Sequence, residues 1–542
     1  MVGFCFNAKR KGIISMDKKK YKFSFPTPSD CLHRLLGRVP KYIWITFISA
    51  CVLGFATHLF MFANKLPNHD DIGHLFSATY GTASGRWFLP TILRLDGNFS
   101  MPWLIGTLSV LMLAFSACFT VSVMRIRSAL GCILTAAVMV TFPTVAATFS
   151  YMFTADAYFL SLALTCAAAY VTVRCRWGFV LGAVLVSLSM GIYQSYFSAA
   201  AVLMIGALMF ETLDGDKDFR RLLALALKYI LALGAGIVIY FIVVKISTLS
   251  IDLVDYMGIS DMGSLSISSL PKQIVSAYLS YYTYFINNDI NAHFGFLKYL
   301  FTLTGACSVG LGIHLLFQKK LGLLRTLLVI VLAILYPLAG NIIYVMVAAK
   351  VHSLMVYSMC FLLIVPIALM EYSLQLNPNG KRSWGYILRS LCSWAIVISV
   401  TLTSYSYYIY NNKAYLKLEL CYEQAYCYST RLISAVESTD GYKTGMPIAL
   451  VGFASNYVNP DPTPRLDEVK LTGILDMEEF LTYYAYGYFL KFYCGYGGPV
   501  YMGSSDVSNT LKQKEAVVAM PIYPTVGSIQ IIDKYVVVKL SE

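Results

Sequence analysis

Eleven apolar stretches follow one another between residues 42 and 410, each long enough, or nearly so, to cross a hydrocarbon core that takes about 20 helical residues. They run 42–66, 103–124, 129–150, 156–173, 178–194, 196–213, 222–248, 299–318, 326–347, 353–373 and 385–410. Inside a bilayer the backbone has to pair with itself, so the stretches predict helices and an all-α polytopic membrane protein of about eleven transmembrane helices. The fifth and sixth are short and separated only by Gln194 and Ser195, and they read equally well as one bent or re-entrant pair. With 57% hydrophobic and 13% charged residues, the composition excludes an ordinary soluble domain, which is about a quarter charged.

Charge then sets direction. The net +13 divides into +8 over residues 1–41, +8 over 42–410 and −3 over 411–542. A nucleic-acid binder keeps its basic residues on one folded face among stacking aromatics, whereas here they sit in the N-terminal tail and in short gaps between apolar runs, which excludes that partner. With the tail inside, the inner set collects 23 basic residues, including Arg125, Arg127, Arg174, Arg176, Lys217 and Arg325, against seven in the outer loops, so the positive-inside rule gives one consistent orientation. Acidic residues took no part in that assignment. Asp70, Asp71, Asp96, Asp156, Asp252, Asp255, Asp261 and Asp289 nevertheless fall outside, which points to chemistry at the outer membrane surface.

Three regions follow. Residues 1–41 form a basic cytoplasmic tail, poorly ordered by its prolines, without the small-residue cleavage pattern of a signal peptide. Residues 42–410 form the membrane region, with outer loops 67–102 and 250–298. Residues 411–542 form a small extracytoplasmic α/β domain, with a helix over 412–438 and strands at Ile448–Phe453, near Ala516–Ala519 and at Ile529–Lys539. Cys421, Cys427 and Cys494 lie outside, where buried thiols are favoured over a disulfide. No His/Cys cluster marks a metal, and no P-loop or G-x-S-x-G is present. Asp214-Gly-Asp216-Lys-Asp218 mimics a metal-binding DxD motif but sits in a short inner loop and reads as a solvated turn.

The richest segment follows the first stretch: Asn68-His69-Asp70-Asp71-Ile72-Gly73-His74, then Gly85-Arg86-Trp87 and Arg94. Carboxylates near a low-dielectric core have perturbed ionisation and suit general-base work, and Arg pairs bidentately with phosphate. The alternative is an interfacial loop whose Arg residues touch lipid headgroups. Asp156, in Thr154-Ala155-Asp156, is either a helix cap, as Thr154 also offers, or a site residue. Tyr193 and Gln194 either bind sugar or belong to an interfacial aromatic belt, and Tyr278, Tyr281, Tyr282 and Tyr284 either form a carbohydrate platform or belong to an amphipathic interfacial helix. Lys350 and His352 offer a contact to lipid phosphate or are ordinary turn residues.

The Asn68–Gly73 run, Gly85-Arg86, the Phe153-Thr-Ala-Asp156 turn and the Gly191-Ile-Tyr-Gln-Ser195 stretch together resemble the bacterial glucosyltransferase family that modifies O-antigen in serotype conversion, over roughly 45–415. The resemblance implies a C-type glycosyltransferase fold in the bacterial inner membrane that takes glucose from undecaprenyl-phosphate glucose on the periplasmic side. It implies a polysaccharide acceptor and a companion flippase and synthase for the donor, without a cofactor. It places Asp70 and Asp71 in the first-loop acidic position and Arg86 in the Gly-Arg position, with Trp87 where the family has Pro and His74 where Arg is common. The rival classes are a lipid-linked-sugar flippase, for which the deep polar residues are His58, His314 and Asn341, and an O-antigen polymerase.

Overall fold

A computed structural model describes residues 27–76, 84–249, 268–287, 294–346, 351–376, 384–453, 466–476 and 479–542. Helices are α1 Pro28–Leu36, α2 Lys41–Ala63, α3 His69–Gly73, α4 Leu89–Leu93, α5 Pro102–Val123, α6 Ala129–Thr141, α7 Pro143–Ser150, α8 Met152–Arg174, α9 Gly178–Ile192, α10 Phe197–Asp214, α11 Phe219–Ser247 and α12 Leu270–Ile286. Leu297–Lys319, Leu323–Gly340, Phe361–Gln375 and Trp384–Glu437 continue the bundle. Among the described residues, nine helices are long and apolar enough to cross a membrane, or ten with the bent α6–α7 pair taken as one. All eleven apolar runs are therefore helical, but the fifth, α9, has only 15 residues.

The third run is bent by 41° because Pro143 follows Phe142. Proline has no N–H to donate, and the bend leaves the carbonyls ahead of it without their helical partners. Side chains from three other segments supply the donors. Tyr357 Oη donates to Met139 O at 2.8 Å, His58 Nε2 to Val140 O at 2.8 Å, and Asn411 Nδ2 to Thr141 O at 2.8 Å. The His58 Nδ1 atom then accepts from Tyr415 Oη at 2.6 Å, which ties α2 to the long Trp384–Glu437 helix. Asn341 likewise donates to Ala277 O at 2.9 Å. Two of the deep polar residues that suit a transport path are thus committed to pairing backbone.

Part of the basic tail is ordered: α1 starts with Pro28 at its first turn, and Thr27 and Asp30 cap each other, with Asp30 N donating to Thr27 Oγ1 at 3.2 Å and Thr27 N to Asp30 Oδ2 at 3.1 Å. The stretch read as the second outer loop contains α12, whose Tyr278 and Tyr281 hydroxyls donate to Ile334 O and Pro337 O, both at 2.7 Å. At the end of the bundle reached by α5 and α8, about one 33 Å helix length from their start, Arg125 pairs with Glu211 and Asp214, and Tyr372 Oη donates to Asp214 Oδ1 at 2.9 Å. Asp214 of the DxD mimic is therefore a partner of arginine.

The Trp384–Glu437 helix runs 54 residues without a break through position 411 and carries the chain into a sheet ordered β4–β1–β6–β5. β1 (Ile448–Val451) is parallel to β4 (Val500–Tyr501) and to β6 (Tyr535–Lys539), and β5 (Ile529–Ile532) forms a hairpin with β6. Two short strands, β2 (Leu471–Thr472) and β3 (Leu475–Asp476), pair separately. The strand expected near Ala516–Ala519 is instead a helical turn over Glu515–Val518: Val517 and Met520 are buried three apart while Val518 is exposed, a helical spacing rather than an alternation. Cys421, Cys427 and Cys494 are free thiols.

Replacing His58 or Asn411 by Leu is expected to strand a buried carbonyl and lower stability by about 1–3 kcal/mol each. The check is the unfolding midpoint of the purified protein in detergent, with Leu391→Ala on the exposed side of the long helix as an unaffected control.

Candidate functional site

The second break in the chain builds the site. α7 ends at Ser150 and α8 begins at Met152, and the residue between them, Tyr151, offers no side-chain cap to α8. The exposed N–H groups of a helix start demand an acceptor. Asp71, 82 residues earlier, provides it: its Oδ1 accepts from Phe153 N at 2.9 Å and from Ser100 Oγ at 2.7 Å. A carboxylate there also meets the positive end of the helix dipole. Neither Thr154 nor Asp156, the caps suggested by sequence, is needed.

Asp71 is held by α3, a five-residue helix capped by Asn68, whose Oδ1 accepts from Asp71 N at 2.9 Å. Asp71 as a whole is 1% exposed, and burial pushes its pKa up to about 6 against the opposing pull of the Ser100 and Phe153 bonds and of the Lys65 and His74 charges. Lys65, an exposed residue whose Nζ lies 5.2 Å from the centre of the Tyr493 ring, has its own pKa lowered by partial desolvation. Asp70, the neighbour, is partly exposed and accepts from Tyr484 Oη at 2.8 Å. His69 Nε2 lies 3.8 Å from Asp70 Oδ1, and the ring meets Tyr151 and Tyr484 edge-on. His74 donates from Nδ1 to Asp70 O at 2.8 Å and stacks on Phe153 with centroids 4.7 Å apart.

About one turn into α8 lies a second acid pair. Asp156 is buried in α8, its Oδ1 accepting from Ala157 N at 2.8 Å, and the charge of Asp96 acts on it. Asp96 is buried too; its Oδ1 accepts from Asn98 N at 3.0 Å, its Oδ2 has no hydrogen-bond partner among the described residues, and burial raises its pKa.

Arg86 donates from Nη1 to the hydroxyl of Tyr158, two residues along α8 from Asp156, at 2.8 Å, with its guanidinium 5.3 Å from the Tyr193 ring. Tyr158 and Tyr193 are themselves stacked, 4.3 Å apart. The Gly-Arg loop docks because Phe88 N donates to Gly191 O at 2.8 Å and Gly191 leaves room for the Trp87 ring, which a Cβ would overlap. Gln194 Nε2 reaches Ser84 O at 3.3 Å and Tyr240 Oη at 3.0 Å. Tyr193 and Gln194 therefore cradle the arginine and its loop. Arg94 is exposed beside Leu95, which is 82% exposed. Lys350 lies outside the described residues.

The C-terminal sheet region closes over this end. Thr472 N donates to Ser353 Oγ at 2.9 Å, Lys417 Nζ to Val469 O at 2.9 Å, and Lys470 N to Tyr410 Oη at 3.0 Å. At Gly473 the backbone has φ +80°, and a Cβ would overlap Ser150 Oγ and the Tyr151 ring. Asp71 thus meets the start of the helix that carries Asp156, and Lys65, Ser100 and Tyr484 lie against the first-loop acids and Asp96 near Asp156 without having been singled out as site residues. Asp96 shares the loop with Asp70 and was legible as an outer acid; Tyr484 is 414 residues from Asp70 and nothing local marks it.

A family model described as Glucosyl transferase GtrII matches residues 59–367, more than half of the chain and a span that holds Asp70, Asp71, Arg86, Asp96 and Asp156. No curated protein and no solved structure matches.

Gly473→Ala is expected to combine left-handed strain with overlap and to lift the Leu471–Asp476 segment off Asn68 and Tyr151, lowering stability by about 1–3 kcal/mol. Faster hydrogen exchange of the amides of 466–476 is the specific readout.

Proposed function

We propose that this chain, which belongs to the glucosyl transferase GtrII family, moves a hexose from polyprenyl-phosphate sugar, with undecaprenyl as the lipid, to a cell-surface polysaccharide on the periplasmic side of a bacterial inner membrane. It is a membrane glycosyltransferase. The observation that carries the finer reading is a carboxylate with a raised pKa, buried where a helix starts and beside a second, more exposed carboxylate, at the end of the bundle that the positive-inside rule turns outward. A lipid-phosphate donor cannot leave the bilayer, so its transferase needs a base and cations at headgroup level and no nucleotide pocket.

In the proposed inverting displacement, Asp71 takes the proton of an acceptor hydroxyl as that oxygen bonds to the anomeric carbon. The bond from the anomeric carbon to the phosphate oxygen breaks, and its electron pair leaves on the polyprenyl phosphate. Arg94, exposed beside Leu95, would meet a phosphate borne on lipid; Lys65, whose charge acts on Asp71, and the Tyr-held Arg86 would add positive charge. Asp156, with Asp96 acting on it, orients the acceptor hydroxyls.

The proton accounting gives a test. A base must be ionised, so kcat/KM for polyprenyl-phosphate hexose is expected to rise with pH through about 6, the value to which burial pushes Asp71. Because the folded-state pKa is raised, the penalty of burying the charge is absent below the ordinary carboxylate range and complete above about 6. Asp71→Asn keeps an oxygen for Ser100 and Phe153 and sheds that penalty. It is expected to lose transfer by about 10²–10⁴-fold without lowering the unfolding midpoint at neutral pH. Transfer within a few-fold of wild type in Asp71→Asn would remove it as the base.

A further inference from the structure

The helix Tyr483–Phe492, hereafter the cover helix, packs on α3 and has an unusual outer face. Its inner side buries Ala485, Tyr486, Phe489 and Leu490. On the other side Tyr484, Tyr488 and Phe492 follow one another four residues apart, and they are 41%, 47% and 37% exposed. Four-residue spacing puts them in one row, each about 6 Å along the axis from the last. The Tyr488 and Phe492 rings lie within 10° of parallel, 6.0 Å apart. An amphipathic helix ordinarily shows charged or amide side chains where this one shows rings, and three adjacent exposed aromatics mark a binding surface rather than scatter.

The row is tied to the proposed chemistry at its first rung. Tyr484 Oη donates to Asp70 at 2.8 Å, and Asp70 adjoins the proposed base. A polysaccharide whose hydroxyl reaches Asp71 has to lay its neighbouring sugar units along a surface that leads away from Asp70, and the row of rings begins at the residue that binds Asp70. Pyranose rings present flat C–H faces that cover aromatic faces while their hydroxyls stay wet, a match that the tyrosine hydroxyls here extend. The donor, with a single hexose, needs no such track.

We propose that Tyr484, Tyr488 and Phe492 form an aromatic track that binds the sugar units of the polysaccharide acceptor next to the transferred position. This deepens, and for its catalytic meaning rests on, the transferase reading above.

Binding can be measured apart from catalysis. The full chain in nanodiscs is titrated with a panel of hexose-containing bacterial O-polysaccharides freed of lipid, comparing wild type, Asp71→Asn, Tyr488→Ala/Phe492→Ala and Tyr488→Trp. The track predicts that at least one polysaccharide binds wild type and Asp71→Asn alike, that the double alanine variant weakens it by about tenfold or more, the scale of losing interface aromatics, and that Tyr488→Trp retains it. Tyr488 is exposed, whereas Phe492 also meets Phe76 edge-on with centroids 4.9 Å apart, so the unfolding midpoint is measured alongside and is expected to fall only slightly. Equal binding by the double variant, no binding by wild type, or a loss seen only with vesicles of polyprenyl phosphate, which would give the row to lipid, overturns the proposal. Absence of hexose transfer with binding through the track intact would instead fault the transferase reading alone.

Discussion

A backbone carbonyl or N–H that loses its helical partner inside an apolar bundle has no water to turn to, and two of the places where that happens organise the structure. At Pro143 the freed carbonyls of Met139, Val140 and Thr141 take hydrogen bonds from Tyr357, His58 and Asn411, so that one helix break fastens three distant segments together. At Tyr151 the start of α8 takes its acceptor from Asp71. The first break aims α7 at the end of the bundle where α8 starts; the second fills that start with a carboxylate.

Structure and proposed chemistry meet in the same atoms. The N–H of Phe153 and the hydroxyl of Ser100 hold Asp71 ionisable, while burial opposes its charge and leaves it with a pKa about 6, suited to accept a proton near neutrality. The roof comes from the far end of the chain: the Trp384–Glu437 helix carries the sheet region back so that Gly473 lies on Asn68 and Tyr151 and Tyr484 reaches Asp70. A base covered in this way works on whatever the roof admits, which makes the roof part of specificity.

Periodicity and run length made every long helix legible, together with β1 and the extended character of Ile529–Lys539, read as one strand where the structure has the β5–β6 hairpin, because bilayer crossing and strand burial are local requirements of composition. The third run was read as one span although Pro143 stood within it, since hydropathy is blind to a break that other side chains repair. The Trp384–Glu437 helix was divided at 411 where the texture turns polar, yet a helix leaving a membrane has no reason to stop there. Asp70, Asp71 and Asp156 stood out through charge placed next to apolar sequence. The capping role of Asp71, the acid pairing of Asp96 with Asp156 and the reach of Tyr484 are tertiary facts that no spacing encodes.

The central claim is that the reaction draws its sugar from a lipid phosphate and inverts it at the anomeric carbon. The direct measurement is reconstitution of the purified chain in liposomes with polyprenyl-phosphate hexose of known anomeric configuration and a polysaccharide acceptor, without any nucleotide, followed by nuclear magnetic resonance of the product linkage. The account predicts transferred hexose in the configuration opposite to that of the donor. A retained configuration, or transfer that proceeds only when a nucleotide sugar is supplied, would contradict it.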